Sequence, residues 1–338
     1  MARNRGFAVE IEAAGVPAQS VADALNAAGV ATVNRQGSYG WNAAQRDMWQ
    51  VTYDGSLSRM RMPFELISPV LHGAAGFATL ETVANALVAV GATVGKACGL
   101  HVHVDANDLD GDALKRLAAL FVRYEDEMDR LQPPSRHSNP YCGSNRRAAG
   151  GGTDEGATRR AVERIVNAPA SRDGVRSVFG MQRYRKLNFE ALAKHGTIEW
   201  RQAAGTLNAR KIKVWVALCL GMVECARRSR GVDSKTQTSW SRLRAKVPAE
   251  MRAELDARRR ELERAAVRRA RAAERERVAR ELRRWDGRRA DALYRADYAA
   301  RVNASRENRV LTPEERERVA TEAGAAFDAA TPRPVVAS

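Results

Sequence analysis

The stretch Cys98-Gly99-Leu100-His101-Val102-His103-Val104-Asp105 constrains the chain more than any other. Side chains alternate across a strand, so Leu100, Val102 and Val104 take one face and His101, His103 and Asp105 the other. Two imidazoles and a carboxylate on one strand face are costly to bury unless something pairs with them, and a metal ion or a phosphate would. The whole chain holds 5 His, and two of them are here. Three other stretches repeat the arrangement. Residues 7–12 set Val9 and Ile11 against Glu10 and Glu12. In 64–69 Glu65 stands between Phe64 and Leu66. In 196–201 Ile198 and Trp200 oppose Glu199 and Arg201. The economical packing is an α+β fold: one sheet with its apolar side on helices and its charged side lining a common concave surface. Four Glu, two His and one Asp on that surface form an oxygen-rich set that suits Mg²⁺ or Mn²⁺ better than a Cys-rich zinc site.

With 338 residues the chain is long enough for one large domain or two ordinary ones. It has no run of ~18 apolar residues, so no membrane span is expected. The first residues lead at once into a strand with two Glu, so no signal peptide is expected. Cys98, Cys142, Cys219 and Cys225 form no Cys-x-x-Cys pair, which fits a reducing, cytoplasmic setting. Cys98 is read as a small buried residue before a turn rather than a ligand. Net charge is +16, but residues 227–338 hold 29 Lys/Arg against 18 Asp/Glu. Basicity therefore belongs to the C-terminal third, and the expected organisation is a domain at 1–230 followed by a basic helical extension at 231–338.

Along the chain, Pro17 opens a helix with Val21, Leu25 and Ala28 as its stripe, and Gly29 ends it. A short strand over 30–34 and a loop over 35–45 precede a strand over 47–53. The Asp54-Gly55-Ser56 turn follows, with Asp54 or Ser56 expected at the rim of the site. The helix over 77–90 packs Leu80, Val83, Ala84, Leu87 and Val90 and feeds the His strand, as in a split βαβ unit. Asp110 or Asp112 caps the next helix, whose stripe is Leu114, Leu117, Leu120, Phe121, Tyr124 and Met128. Residues 135–160 lack apolar pattern, and the part at about 143–157 is expected as a mobile substrate loop in which Arg146 and Arg147 meet an anion. Residues 182–189 read as a strand or turn carrying basic residues toward the site, with Arg183, Lys186 and Asn188 assigned to cofactor binding. His72, His137 and His195 are read as structural or solvated. Asn208 or Thr206 caps a largely buried helix through Val223. Residues 250–289 have the composition of an exposed helix with a broken stripe, 293–298 start a second, and Thr312-Pro313-Glu314-Glu315 starts a third. Residues 331–338 are expected to fray.

Taken together, these motifs resemble the glutamine synthetase and glutamate–cysteine ligase superfamily of carboxylate–amine ligases, and within it the amidoligase family. That family shows a Val-Glu-Ile-Glu strand, an Asp-Gly-Ser turn, a Phe-Glu-Leu-Ile-Ser-Pro segment, a Cys-Gly-Leu-His-Val-His strand, an Arg-Tyr-x-x-Leu-Asn element and a Gly-Thr-Ile-Glu-x-Arg strand ending in Gly-Thr. All six occur here in order, at 9–12, 54–56, 64–69, 98–103, 183–188 and 196–206. The likeness covers roughly residues 6–228 and leaves the extension out. It implies a curved antiparallel sheet forming a glutamine synthetase-like half-barrel, with ATP and two or three divalent metals on the concave face. It implies that Glu10, His101 and Glu199 share one metal and Glu12 and Glu65 another. His103 would face the nucleotide phosphates and Arg201 the transferred phosphoryl group. The superfamily has one more carboxylate near Glu65, to which no residue is assigned here.

The chemistry agrees with that likeness. A carboxylate becomes an electrophile when ATP phosphorylates it, and an amine then attacks the acyl phosphate. Metal ions and a guanidinium offset the gathered negative charge. Tyr184, Asp54 or Asp105 is expected to help the amine lose its proton, and the residues do not choose among them. Arg201, Tyr184 and Asp54 are the expected catalytic groups, and small-molecule, peptide or protein amines and carboxylates the expected substrates. Two rival readings are a metal-dependent hydrolase or nuclease, which would need more His, and an inactive scaffold that binds nucleic acid through its basic helices.

Overall fold

A computed structural model describes residues 4–154, 156–231 and 238–335. The expectations for the first residues and for the frayed end therefore fall partly outside the described residues, at 1–3 and 336–338. Seven strands form one open sheet in the order β2-β3-β4-β1-β5-β7-β6. They are β1 (Phe7–Ala13), β2 (Thr32–Tyr39), β3 (Trp49–Tyr53), β4 (Phe64–Ile67), β5 (Gly99–Asp105), β6 (Leu187–Asn188) and β7 (Thr197–Ala204). The expected α+β class holds. The expectation of a purely antiparallel sheet does not, because β2 pairs with β3 in parallel. Strand β2 also runs further than expected, through Gly37 to Tyr39, because its pairing with β3 resumes at Tyr39 after an irregularity.

Alternation decides the layers. Val9, Ile11, Val51, Leu66, Leu100, Val102, Val104, Ile198 and Trp200 are all buried in one core. Against them pack α1 (Ala18–Ala27), α2 (Gly73–Ala89), α3 (Gly111–Asp129) and the Ala209–Arg228 helix. Helix α2 buries Leu80, Val83, Ala84 and Leu87, and α3 buries Leu114, Leu117, Phe121, Tyr124 and Met128. Asp110 caps α3 by accepting from Ala113 N, and Asn208 caps the later helix by accepting from Lys211 N. Strands β4 and β5 flank β1, with α2 between them in sequence, so the split βαβ unit is present.

The stretch at 143–157 is not without secondary structure. Ser144 caps a short helix, Asn145–Ala148. Asn145 is fully buried and brackets Leu187, accepting from its N–H and donating to its carbonyl. The ties are polar and long-range, so no apolar periodicity announced them. Arg146, expected to meet an anion, pairs with Asp126 at 2.6 Å.

The chain divides into two compact units, Met1–Leu262 and Glu263–Ser338. In the first, Leu243, Val247 and Leu255 join the same core although they lie beyond 230. A single helix, Arg252–Arg306, replaces the two helices expected over 250–298. No proline interrupts it, and Gly287 alone costs only about 1 kcal/mol against alanine. In the second unit the Pro313–Ala330 helix starts with the expected capping box of Thr312 and Glu315. Trp285 stacks edge-on with Phe327 at 5.6 Å and donates to Thr331 O at 2.7 Å. Among the described residues, no helix is long and apolar enough to cross a membrane.

Candidate metal and active site

The polar face of the sheet is built by cross-strand register. Glu65 on β4 stands opposite Glu12 on β1, Glu10 opposite His101 on β5, and His103 opposite Glu199 on β7, with Asn188 on the far side of Glu199. Directly opposed residues approach closely enough to interact. His101 Nδ1 lies 2.9 Å from Glu10 Oε2 and 3.6 Å from Glu199 Oε1, and its Nε2 lies 3.3 Å from Glu12 Oε1. Glu12 also accepts from Gly99 N at 2.5 Å. A Cβ on Gly99 would stand 2.9 Å from His101 Nε2, so the bare position leaves room for this approach.

His103 hydrogen-bonds through Nδ1 to Thr197 Oγ1 at 2.9 Å. Its Nε2 is buried and has no hydrogen bond, although Glu10 Oε1 is 3.3 Å away. Asn188 Nδ2 donates to Glu199 Oε2 at 2.6 Å. Arg201 Nη1 donates to Glu199 Oε1, and its Nε reaches Tyr141 O at 3.3 Å. Strand β7 carries one extra residue between the pairs Val102–Trp200 and Leu100–Ala203, a bulge at the Arg201 position of the kind that re-aims side chains beside active sites.

The electrostatics follow from crowding. Burial opposes ionisation of Glu10, but the hydrogen bond with His101 and the neighbouring His103 imidazole outweigh it and hold Glu10 well below the usual carboxylate range. Burial opposes Glu199 too, and Arg201 followed by His103 lowers it. Burial works against a charged His103, but Glu10 and Glu199 raise it. For Glu65 the opposing pull of Arg201 is the smallest of the influences. Burial first, then the charges of Glu10, Glu12 and Asp54, push it well above the ordinary value.

Three overlapping groups have ligand atoms within 4.8 Å of one another: Glu10 with Glu65 and His101, Glu10 with His103 and Glu199, and Glu12 with Asp54 and Glu65. The donor set is carboxylate and imidazole without thiolate, which fits a hard divalent cation. The bare His103 Nε2 and the repelled Glu65 fit it as well. Asp54 brings a further carboxylate beside Glu65 and Glu12, so the structure places it with the acidic groups. The Asp-Gly-Ser turn before Glu65 was the signal for it.

Of the other expected site residues, Tyr184 is half-exposed, with its ring 5.9 Å from the Arg201 guanidinium and 5.5 Å from that of Arg183. Arg183 is exposed. Lys186 is not brought to the cluster: it is 2% exposed, and its ammonium lies between Glu125 at 3.1 Å and Asp129 at 2.6 Å on α3. Asp105 accepts from Asn107, and the Cys98 thiol rests on Met60 sulfur at 3.5 Å. Thr197 was missed, although its position two before Glu199 puts it on the same strand face. His195 was passed over as well. Its ring is 6.0 Å from that of His103, and burial, His103 and Lys194 lower its pKa.

Residues 3–223 match the model of a protein family described as "putative amidoligase enzyme". No curated protein matches the chain.

Proposed function

The chain belongs to the amidoligase family, and from that premise we propose that it is an ATP- and Mg²⁺-dependent carboxylate–amine ligase working through an acyl phosphate. The observation that carries this reading is the set of three overlapping carboxylate–imidazole groups on one sheet face, with Arg201 at its Glu199 end.

In this reading the carboxylate substrate attacks the γ-phosphorus of ATP, ADP leaves, and the amine then displaces phosphate from the acyl phosphate to form an amide or isopeptide bond. Glu10, Glu12, Asp54, Glu65, His101, His103 and Glu199 would hold the divalent ions. Mg²⁺ or Mn²⁺ bound there supplies charge neutralisation for the phosphate oxygens. With an ion on His103 Nε2, the Nδ1–H would donate to Thr197 Oγ1 and hold the ring in place, a common arrangement behind metal-binding imidazoles. Asn188 fixes the rotamer of Glu199 in the same way. Arg201, oriented by Glu199 and by Tyr141 O, presents its remaining N–H groups to the transferring phosphoryl group. Tyr184 borders Arg201 on the open side, where substrates enter. The substrates are small-molecule, peptide or protein amines and carboxylates.

The test is ATP consumption with Mg²⁺ and pooled amino acids and peptides, wild type against Glu199→Ala, with products followed by mass spectrometry. ADP together with a condensed product lighter by one water, both absent in the variant, is the expected result. ATP left intact with every pool, and no metal bound, would sink the catalytic reading.

A further inference from the structure

The connection between β2 and β3, residues 40–48, does not hang off the edge of the sheet. It folds back over the polar face and is tied there by Gln50. Gln50 shares its cross-strand row with Ile67, Glu10 and His101, so it belongs to the face that bears the site. It is fully buried. Its side chain accepts from Asn42 N at 2.8 Å and donates to Asn42 O at 3.1 Å and Gln45 O at 3.0 Å. Arg35 adds bonds to Gly40 O and to Gln50 Oε1.

Held this way, Trp41 meets a residue from the other side of the sheet. Its ring lies 6.4 Å from that of His195, edge to face at 89°. His195 ends the Ala191–His195 helix just before β7, and β4, β1 and β5 lie between β3 and β7. His195 in turn meets His103 edge to face at 6.0 Å. An aromatic file therefore leads from the bare His103 Nε2 outward to Trp41. The indole is not spent on the core, since Trp41 remains 39% exposed. A large aromatic group left half in water while its loop is pinned over a polar site is set up to stack on a planar ring.

The ligand that fits has a strongly anionic end for the carboxylate–imidazole groups and a flat ring beyond it. We propose that Trp41, braced edge to face by His195, is the wall on which the base of the nucleoside triphosphate stacks. This rests on the ATP-dependent reading above and adds to it a base subsite supplied by the 40–48 connection. Stacking on an aromatic wall depends on the π-face that every base has, so it tolerates different bases.

Calorimetric binding of Mg-ATP and of Mg-tripolyphosphate to the full chain tests it, for wild type, Trp41→Ala, Trp41→Phe and His195→Ala. Tripolyphosphate carries the anionic end without the base. Trp41→Ala should weaken Mg-ATP about tenfold, within the range for loss of one stacking partner, and leave Mg-tripolyphosphate unchanged. Trp41→Phe should restore most of the loss, and His195→Ala should follow Trp41→Ala more weakly. Equal losses for both ligands, or no loss for either, would overturn the base subsite and leave the ligase standing. Wild type that binds Mg²⁺ but neither ligand would overturn the ATP-dependent reading and the subsite with it.

Discussion

Glu65 stands directly opposite Glu12 across β4 and β1, and Asp54 brings a third carboxylate oxygen within 4.8 Å of both. Like charges opposed in a strand pair are destabilising, and among the described residues no arginine or lysine stands at salt-bridge distance from this trio. The fold therefore stores repulsion at one spot of its polar face, which a divalent cation would relieve.

Metal should accordingly stabilise the protein. A ligand at a hundred times its dissociation constant adds about 2.7 kcal/mol, and a domain of this size shifts by about 2–4 °C per kcal/mol. Thermal melts in chelator and then in excess Mg²⁺ or Mn²⁺ should differ by several degrees for wild type. In Glu65→Gln the chelated protein should melt higher than chelated wild type, and the increment from metal should shrink. A wild-type melting temperature indifferent to both ions contradicts the metal reading.

The same trio sets a pH dependence for the chelated protein. The native pKa of Glu65 lies well above its ordinary value of 4.5. Above that value the unfolded chain loses the proton while the native state keeps it, so stability falls as pH rises, until the raised native value is passed. Glu10 and Glu199 have lowered native values. Their contribution is present above 4.5 and is lost as pH falls through those lower values. His103, raised from 6.5, contributes below 6.5 and loses that contribution as pH climbs through its native value. Melts of wild type and Glu65→Gln from pH 4.5 upward isolate the Glu65 part: the gap between them should widen with pH. A constant gap would mean that Glu65 ionises normally.

Much of this was legible because alternation is a strict rule. In β1, β4, β5 and β7 the residue next to each buried Val, Leu, Ile or Trp has to face the other way, which puts Glu10, Glu12, Glu65, His101, His103 and Glu199 on the opposite face of one sheet. Lys186 shows where the rule stops. It sits one residue before β6, where no strand of useful length fixes its direction, and the acids that claim it, Glu125 and Asp129, are 61 and 57 residues away. The short helix at Asn145–Ala148 was not legible for a similar reason, since Asn145 is held by backbone of Leu187 rather than by an apolar stripe. Trp41 was legible only as part of the 35–45 loop, because its contact with His195 depends on how the sheet brings distant strands to face each other.

Lys186 is thus expected to matter for folding rather than for binding. Removing one partner of a buried ionic cluster strands the others, at about 3–5 kcal/mol. Lys186→Met should lower the unfolding free energy by an amount of that order, read as a lower denaturant midpoint, while Mg²⁺ affinity measured on the folded variant stays near wild type. A variant of normal stability with weakened nucleotide binding would return Lys186 to the cofactor side.

In the second unit, Trp285 is the main buried aromatic, and few other residues there are buried. Replacing a buried Phe or Trp by Ala costs about 3–5 kcal/mol in a core, more than a helix pair with so little core can spare. Trp285→Ala should therefore expose the connection around Val310, already 89% exposed, to faster limited proteolysis. Melting of the Met1–Leu262 unit should not change. Unaltered cleavage would show that the Arg–Asp pairs, such as Arg289 with Asp328 at 2.8 Å, hold the helices on their own.

Arg201 separates geometry from charge. Its guanidinium uses Nη1 on Glu199 and Nε on Tyr141 O, a forked arrangement that a lysine ammonium cannot copy although it keeps the positive charge. If those bonds serve to aim the rest of the fork at a transferring phosphoryl group, Arg201→Lys removes a donor that acts chiefly in the transition state. Losing one such donor costs about 10²–10³ in kcat. Mg-ATP affinity, which depends on the ground state, should stay within a few-fold. Single-turnover rates and equilibrium binding on the same preparations give the two numbers. A lysine variant with an unchanged rate would remove Arg201 from the chemistry and leave it as the counterion that keeps Glu199 ionised.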